Sequence, residues 1–512
     1  MLNHSSLHFQ DVSFSYPSQS KNLFNSWSLS FHHGWYGVIG ANGSGKTTLL
    51  LLATGALDPV AGNIRKVNSA LYCPQRTDDP PPFMEDFLRS SDSDAYQIKT
   101  MLEIEDEWEE HNRWNSLSHG ERKRLQLGVA LWLNPALLAI DEPTNHLDSK
   151  GKKLILESLK HYRGIGLLVS HDRELLDILC IKCLLLEPPT ITVRNGNYTQ
   201  TMIAIKKERK ANRKEYEDIC KEVKRIDREV KHRRQEAARS DARVSKRGID
   251  TKDHDAKSKI DLARVSGKDG VSGKLLNQLS GRYAQIKQQQ QLIKIKSEDE
   301  YGIKILGEIS KRDYLIKTNR SLTITMGNKY LSVPSLEVGP EDKIALIGDN
   351  GSGKTTLVHY LLANSLNTIG GNIKIQYMPQ EITQHESEKI LDQLKKLPPK
   401  ELGIVMSFVN RLGSDPKQLL MGQIPSPGEV RKLLLAQIVL QQPQLLILDE
   451  PTNHLDLLSI ELLEKALEDY IGALIIISHD KIFRDKLTYI EWETKEQGLN
   501  FYLQVSSLRG EF

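Results

Sequence analysis

The segment Gly40-Ala41-Asn42-Gly43-Ser44-Gly45-Lys46-Thr47 recurs 308 positions later as Gly348-Asp349-Asn350-Gly351-Ser352-Gly353-Lys354-Thr355. At the same offset, Asp141-Glu142-Pro143-Thr144-Asn145-His146-Leu147-Asp148 recurs as Asp449-Glu450-Pro451-Thr452-Asn453-His454-Leu455-Asp456, and Ser170-His171-Asp172 as Ser478-His479-Asp480. One offset held across three separated segments means two copies of one domain in a single polypeptide. A chain of 512 residues accommodates two lobes of about 200 residues each and roughly 100 residues between them.

The composition, 39% hydrophobic and 26% charged, suits a soluble globular chain, with no run near the ~18 apolar residues that span a bilayer. The longer apolar runs, such as Ile471 to Ile477, are short and flanked by charge, and read as buried strands. Met1 to Asp11 is polar and lacks the apolar segment of a leader, so the chain is expected in the cytoplasm. Cys73, Cys180, Cys183 and Cys220 are too scattered for a disulfide framework, and the Cys180–Cys183 pair has no second pair at zinc-site spacing. All four read as reduced thiols, and Cys180 and Cys183, in the mostly apolar stretch Ile178 to Leu186, as buried strand residues.

Only residues 1–202 and 301–512 repeat. Between them, residues 203–300 hold 27 Lys and Arg against 17 Asp and Glu; with +3 for the whole chain, this local +10 leaves the lobes at −7. Such segregation points the middle block toward a polyanion. Thr201 to about Ser240 is free of Gly and Pro and predicts one long helix, about 60 Å if continuous. Gly248, Gly267, Gly270 and Gly273 mark a less regular region, and Leu275 to about Lys296 reads as a returning helix. A solvated spacer would need neither this length nor this charge.

The first repeated segment is GxxxxGK[ST], the P-loop. Its glycines let backbone N–H groups turn toward phosphates, and the helix that follows presents its positive N-terminus to them. Each copy follows an apolar strand (Trp35 to Ile39; Lys343 to Ile347) and opens a helix (Thr48 to Leu52; Thr356 to Leu362), so two ATP sites are expected. Lys46 and Lys354 would meet the β and γ phosphates, and Thr47 and Thr355 would hold Mg²⁺ through their hydroxyls. Leu137 to Ile140 and Leu445 to Leu448 are apolar strands that end in Asp-Glu, 101 residues after the first glycine of each P-loop. Asp141 and Asp449 suit magnesium binding, and Glu142 and Glu450 suit polarising the attacking water.

These residues resemble the ATP-binding cassette superfamily. Leu117-Ser118-His119-Gly120-Glu121 is similar to its LSGGQ/E signature except for the histidine; Gln75 and Gln380 fit the magnesium-ligating Q-loops. His171 and His479, each 30 residues past its aspartate, fit the switch histidine, and Leu147-Asp148 and Leu455-Asp456 the D-loops. The resemblance implies nucleotide contacts from Gly40, Asn42, Gly43, Ser44, Gly45, Lys46, Thr47 and Thr48 in the first lobe. In the second it implies Gly348, Asn350, Gly351, Ser352, Gly353, Lys354, Thr355 and Thr356. It also implies that each P-loop faces the other lobe's signature. Site one then pairs Lys46 with Ser426 and Gly428, and site two pairs Lys354 with Ser118 and Gly120. The second signature, Pro425-Ser426-Pro427-Gly428-Glu429, departs by two prolines, which puts turnover at site one in doubt. Tyr16 lies where the family stacks adenine, whereas the second lobe offers Met326, so two unequal sites are expected.

Two cassettes without membrane spans, both carrying the Asp-Glu-Pro-Thr-Asn-His-Leu-Asp octapeptide and joined by a charged linker, resemble the ABC-F subgroup across nearly the whole chain. The implied fold is α/β: two tandem ABC-type P-loop ATPase domains joined by a long basic helical-hairpin linker. The implied activity is ATP hydrolysis, with ATP and Mg²⁺ bound. The implied partner is the ribosome near its exit tRNA site, the linker reaching toward peptidyl tRNA and the peptidyl-transferase centre. Arg243, Lys246, Arg247 and Lys252 at the linker tip are candidate RNA contacts. Only 42 residues separate Gln75 from Ser118, and 33 follow His479, leaving little room for an arm or a long C-terminal extension. An armless chain of this kind resembles the antibiotic-resistance branch. The alternatives are a housekeeping factor for stalled ribosomes, a DNA-maintenance ATPase and a transporter motor. Intramolecular pairing of the cassettes makes a monomer sufficient, with no membrane subunits.

Overall fold

Four of the strand segments flanking the motifs consist almost wholly of Leu, Ile, Val and Ala, and in the computed structural model they lie at the centre of each lobe with both faces covered. Leu137–Asp141, Ile165–Val169, Leu445–Asp449 and Ala473–Ile477 are buried at every position. Continuous burial rather than alternation marks a parallel sheet covered on both sides, and each fully buried Leu or Ile contributes about 1.5–3 kcal/mol. The structure describes residues 6–17, 22–105, 108, 113–145, 147–244, 268–292, 305, 307–318, 320–368, 373–414, 416, 419, 426–498 and 500–507.

In the first lobe a six-stranded sheet runs Ala70–Cys73, Leu137–Asp141, Ile165–Val169, Gly34–Gly40, Cys180–Glu187, Thr190–Asn195; all neighbours are parallel except the last pair. A second, antiparallel sheet places Leu7–Phe14 between Phe24–Phe31 and Ala61–Arg65. The second lobe repeats the parallel core as Ile375–Met378, Leu445–Asp449, Ala473–Ile477, Lys343–Ile347, Ile490–Gln497. Its sheet continues through Asn500–Ser507, Lys329–Val333 and Leu322–Met326 to eight strands. In both lobes the P-loop strand lies beside the strand that leads to Ser-His-Asp, and the Asp-Glu strand is next. The motifs therefore emerge side by side at the carboxyl edge, where α/β sheets bind ligands.

Residue contacts divide the chain into two compact units: residues 1–201 with 301–512, and residues 202–300. In the latter, helix Tyr198–Val244 continues from the first lobe, and a second helix spans Lys268–Leu292. Ile226, Val230 and Ile286 form a small core with Ile219, Val223, Leu279 and Tyr283, a stripe at three- and four-residue spacing, and Arg282 pairs with Glu222 at 2.9 Å. The long helix starts earlier and ends later than the Gly/Pro-free window predicts. The second helix runs through Gly270 and Gly273, because an interior glycine costs only about 1 kcal/mol. Among the described residues no helix is long and apolar enough to cross a membrane.

Candidate functional site

Both P-loops close around their own lysine. Lys46 Nζ donates to the carbonyls of Gly40 (2.9 Å) and Ala41 (3.1 Å), and Lys354 Nζ to those of Gly348 (2.9 Å) and Asp349 (2.8 Å). Gly45 and Gly353 have φ of 91° and 93°, where a side chain is strained. A Cβ on Gly45 would also lie 2.8 Å from Phe24 and Leu23, and one on Gly353 2.3 Å from Met326 Sδ. The helices Lys46–Thr54 and Lys354–Thr368 begin at the lysines, so their free N–H groups face the loop concavity. Gly43 and Gly351, at φ 78° and 75°, lie at the turn of each loop.

Thr47 Oγ1 donates to Asp141 Oδ2 at 2.6 Å and Thr355 Oγ1 to Asp449 Oδ2 at 2.8 Å; Tyr72 and Tyr377 hydroxyls reach the same oxygens at 3.4 Å. Ser44 Oγ is buried without a partner among the described residues, whereas Ser352 Oγ is bound to Thr494 Oγ1 at 2.6 Å. The Tyr16 hydroxyl meets Thr48 Oγ1 at 2.9 Å, and its ring stands edge-on to Phe14; Thr356 is exposed. Gln75 is exposed on its loop, while Gln380 lines a cavity with Asn350, Glu450 and His479.

Glu142 and Glu450 occupy the left-handed region, with φ of 49° and 48°, a conformation that costs a non-glycine residue about 1–3 kcal/mol and clusters at functional sites. Both are nearly inaccessible, at 3% and 4% exposure. Glu142 Oε2 accepts from the His171 backbone N–H at 3.1 Å, and Glu450 Oε2 from that of His479 at 3.4 Å. The other oxygen of each carboxyl lies near its histidine Nε2, at 3.1 and 3.5 Å, but without an aligned donor. Burial raises Glu142 to about 8, assisted by the adjacent Asp141 charge, and raises Glu450 to about 7, held lower by Lys152 from the first lobe. Burial also pushes both histidines down, His479 to about 3. Each site thus presents a carboxyl poised near neutrality beside a neutral imidazole.

Ser118 and Ser426 each cap a helix, His119–Trp132 and Pro427–Gln441, through capping boxes with Glu121 and Glu429. Their dihedrals coincide: φ −63°, ψ 160° for Ser118 and φ −63°, ψ 157° for Ser426. Pro427 falls on the first helical position, where no N–H is needed and proline's φ already fits, so it leaves the serine geometry of the first lobe intact. Pro425 lies outside the described residues.

The lobes meet at these motifs. Asn42 N–H donates to Asp456 Oδ2, and Asn42 Nδ2 to the His454 carbonyl, both at 3.0 Å. A Cβ on Gly428 would lie 3.3 Å from Asn42 Nδ2. The first P-loop therefore faces the second lobe's D-loop and signature helix. At the other site Asp148 of the first lobe acts on Lys354, and Gly120 lies against Leu147 of its own D-loop. Sequence reasoning missed Lys123 and Arg431, buried five residues past each signature serine, and Lys152. Their charge is visible in the sequence, but the carbonyls that Lys123 and Arg431 find, and the Asp172 carboxylate that Lys152 meets, are not. Of the linker candidates, Arg243 lies in the final turn of the long helix, and Lys246, Arg247 and Lys252 fall outside the described residues.

The ABC transporter family profile matches residues 24–145 and 331–453. The ribosome protection protein VmlR of Bacillus subtilis (strain 168) is 31% identical over 97% of this chain and 88% of its own length. The chain belongs to the ABC-F subgroup of ATP-binding cassette proteins. Another relative is the tylosin resistance ATP-binding protein TlrC of Streptomyces fradiae, 26% identical over 90% of this ABC-F chain and 92% of TlrC. Among solved structures, the archaeal ribosome recycling factor aABCE1, in complex with the stalk protein aP1, has a TM-score of 0.60. It is 17% identical and covers 98% of this chain and 90% of its own, a likeness of fold. As an ABC-F protein with two cassette matches, the chain is an ATP hydrolase.

Proposed function

We propose that this ABC-F ATPase binds the ribosome near the exit tRNA site in its ATP state and, through the linker, acts near the peptidyl-transferase centre to counter ribosome-targeting antibiotics. The observation that carries this reading is the match to a ribosome protection protein along 97% of the chain. The positive linker supports it, since Lys and Arg bind phosphate backbones without needing a base sequence. In this reading residues 1–202 and 301–512 are the cassettes and residues 203–300 the RNA-facing linker. The protein works as a cytoplasmic monomer with its cassettes paired intramolecularly.

At each site Lys46 or Lys354 binds the β and γ phosphates, with the loop amides and the facing serine, Ser426 or Ser118, completing the clamp. Thr47 with Asp141, and Thr355 with Asp449, fit a magnesium site: a hydroxyl and a carboxylate within 2.8 Å of each other are the sparse oxygen set this ion takes beside substrate phosphates. Gln75 and Gln380 complete it. Magnesium, when bound, neutralises charge that develops on the transferring phosphoryl group. Glu142 and Glu450 take up the proton of the attacking water, and His171 and His479 donate toward the γ phosphate while holding the carboxylates. Tyr16 supports adenine in the first lobe. Closure fixes a ribosome-binding shape, and hydrolysis reopens it.

The test is co-sedimentation of the Glu142→Gln/Glu450→Gln chain with 70S ribosomes, with and without ATP, beside the same chain lacking residues 240–275. Binding that requires ATP supports the reading; free protein under all conditions overturns it.

A further inference from the structure

Each signature helix carries, five residues past its serine and about 7.5 Å further along the axis, a buried cation that the proposed chemistry leaves unused. In the second lobe it is Arg431, 3% exposed. Its Nη1 donates to the carbonyl of Glu450 at 2.6 Å, and its Nη2 to the carbonyl of Gln380. In the first lobe it is Lys123, also 3% exposed, which donates to the carbonyls of Pro74 (2.7 Å) and Gln75 (3.4 Å) and to Gln126 Oε1 (3.0 Å). Both cations tie the signature helix to the Q-loop of their own lobe. The planar fork of the arginine spans two carbonyls at once, as a single ammonium does less readily, and so also reaches the strained Glu450 backbone.

The geometry of the lobes gives this tie a consequence. Gly428, two residues past Ser426 at the start of the Arg431 helix, approaches Asn42 of the first lobe's P-loop. Gln380 and Glu450 belong to the other site. We propose that Arg431 is a positioning residue that couples the two sites, transmitting closure of Ser426 on site one through the first turns of helix Pro427–Gln441 to Gln380 and Glu450 in site two. Lys123 makes the weaker converse tie, from Ser118 to the Q-loop at Gln75. Helix rigidity over five residues and hydrogen bonds at both ends of the guanidinium supply a contiguous path. The inference rests on the site pairing proposed above.

The experiment uses the full chain carrying Glu142→Gln, so that site two supplies the turnover. Ser426→Ala in this parent should lower the remaining kcat about fivefold or more, the lower end of typical coupling between sites. With Arg431→Lys already present, the same substitution should change kcat by less than about twofold, because neighbours in one network are not additive. An undiminished effect of Ser426→Ala beside Arg431→Lys, or no effect in the parent, overturns the coupling. Hydrogen exchange supplies a readout that needs no change at Arg431. ATP should slow exchange of the backbone at 380–383 in the parent and slow it less with Ser426→Ala, and equal protection in both counts against the proposal. Residual turnover of the Glu142→Gln/Glu450→Gln chain would instead refute the site assignment.

Discussion

Arg173 of the first lobe meets Glu464 of the second at 2.6 Å, with 6% and 2% of the two side chains exposed. The pair is not repeated: 308 positions after Arg173 stands Lys481, and 308 before Glu464 stands Leu156. The seam between the lobes is therefore charge-matched in one sense only, which favours the first lobe against the second over either lobe against a copy of itself. Breaking a buried pair by removing one partner costs about 3–5 kcal/mol. Half-exposed Lys486 also reaches Glu464, at 2.6 Å, so Glu464→Leu removes the partner of two cations, one of them buried, and should destabilise more than Arg173→Met. The combined change should recover part of the loss. Urea unfolding of the three variants measures the order; additive losses would mean the pair is not coupled.

Asp456 is the more heavily used of the two D-loop aspartates. It caps helix Leu457–Glu468 through Ser459 N–H, accepts from Asn42 across the seam and lies 3.8 Å from buried Lys432. Asp148 caps Ser149–Lys160 through Gly151 N–H. Losing a cap costs about 1 kcal/mol in either lobe. Asp456→Ala should cost about 1–3 kcal/mol beyond Asp148→Ala, because it also removes the seam bond and leaves a charge without its partner. Thermal melts of the two variants decide it.

The two glutamates should report different pH dependence. In Glu450→Gln, where the first lobe's carboxyl acts, kcat/KM should rise with a midpoint near pH 8; in Glu142→Gln it should rise near pH 7. The direction follows because the base works ionised, and kcat/KM reads the free enzyme. For stability the sign is opposite. A carboxyl raised from 4.5 to about 8 contributes fully below pH 4.5 and loses that contribution as pH climbs through 8. Without nucleotide, the Tm of Glu142→Gln should therefore gain on the parent chain between pH 5 and pH 9, by about 2 °C or more. A constant difference would refute the assignment.

Pro427 should prove neutral. It stands at the first helical position and Ser426 keeps the dihedrals of Ser118, so Pro427→Ala in the Glu450→Gln chain should change turnover less than about twofold and stability by under about 1 kcal/mol. A tenfold rise in turnover would show instead that the proline restrains site one.

The repeat, the P-loops, the Asp-Glu strands and the Ser-His-Asp segments were legible in the sequence because each is local. A glycine at positive φ, a helix N-terminus and a strand of unbroken Leu and Ile are properties of neighbouring residues, and they place Lys46, Glu142, His171 and their counterparts without any contact information. The family resemblance rested on the same short segments. Tertiary structure decided what depends on residues far apart in the chain. It set Asn42 against Asp456 and His454, closed Arg173 on Glu464, and gave Ser352 a partner in Thr494 while leaving Ser44 Oγ buried without one among the described residues. It also gave Arg431 two carbonyls from two different motifs. A buried cation must find acceptors wherever the packed chain leaves them, and which carbonyls those are is fixed only when the sheet, the signature helix and the Q-loop come together.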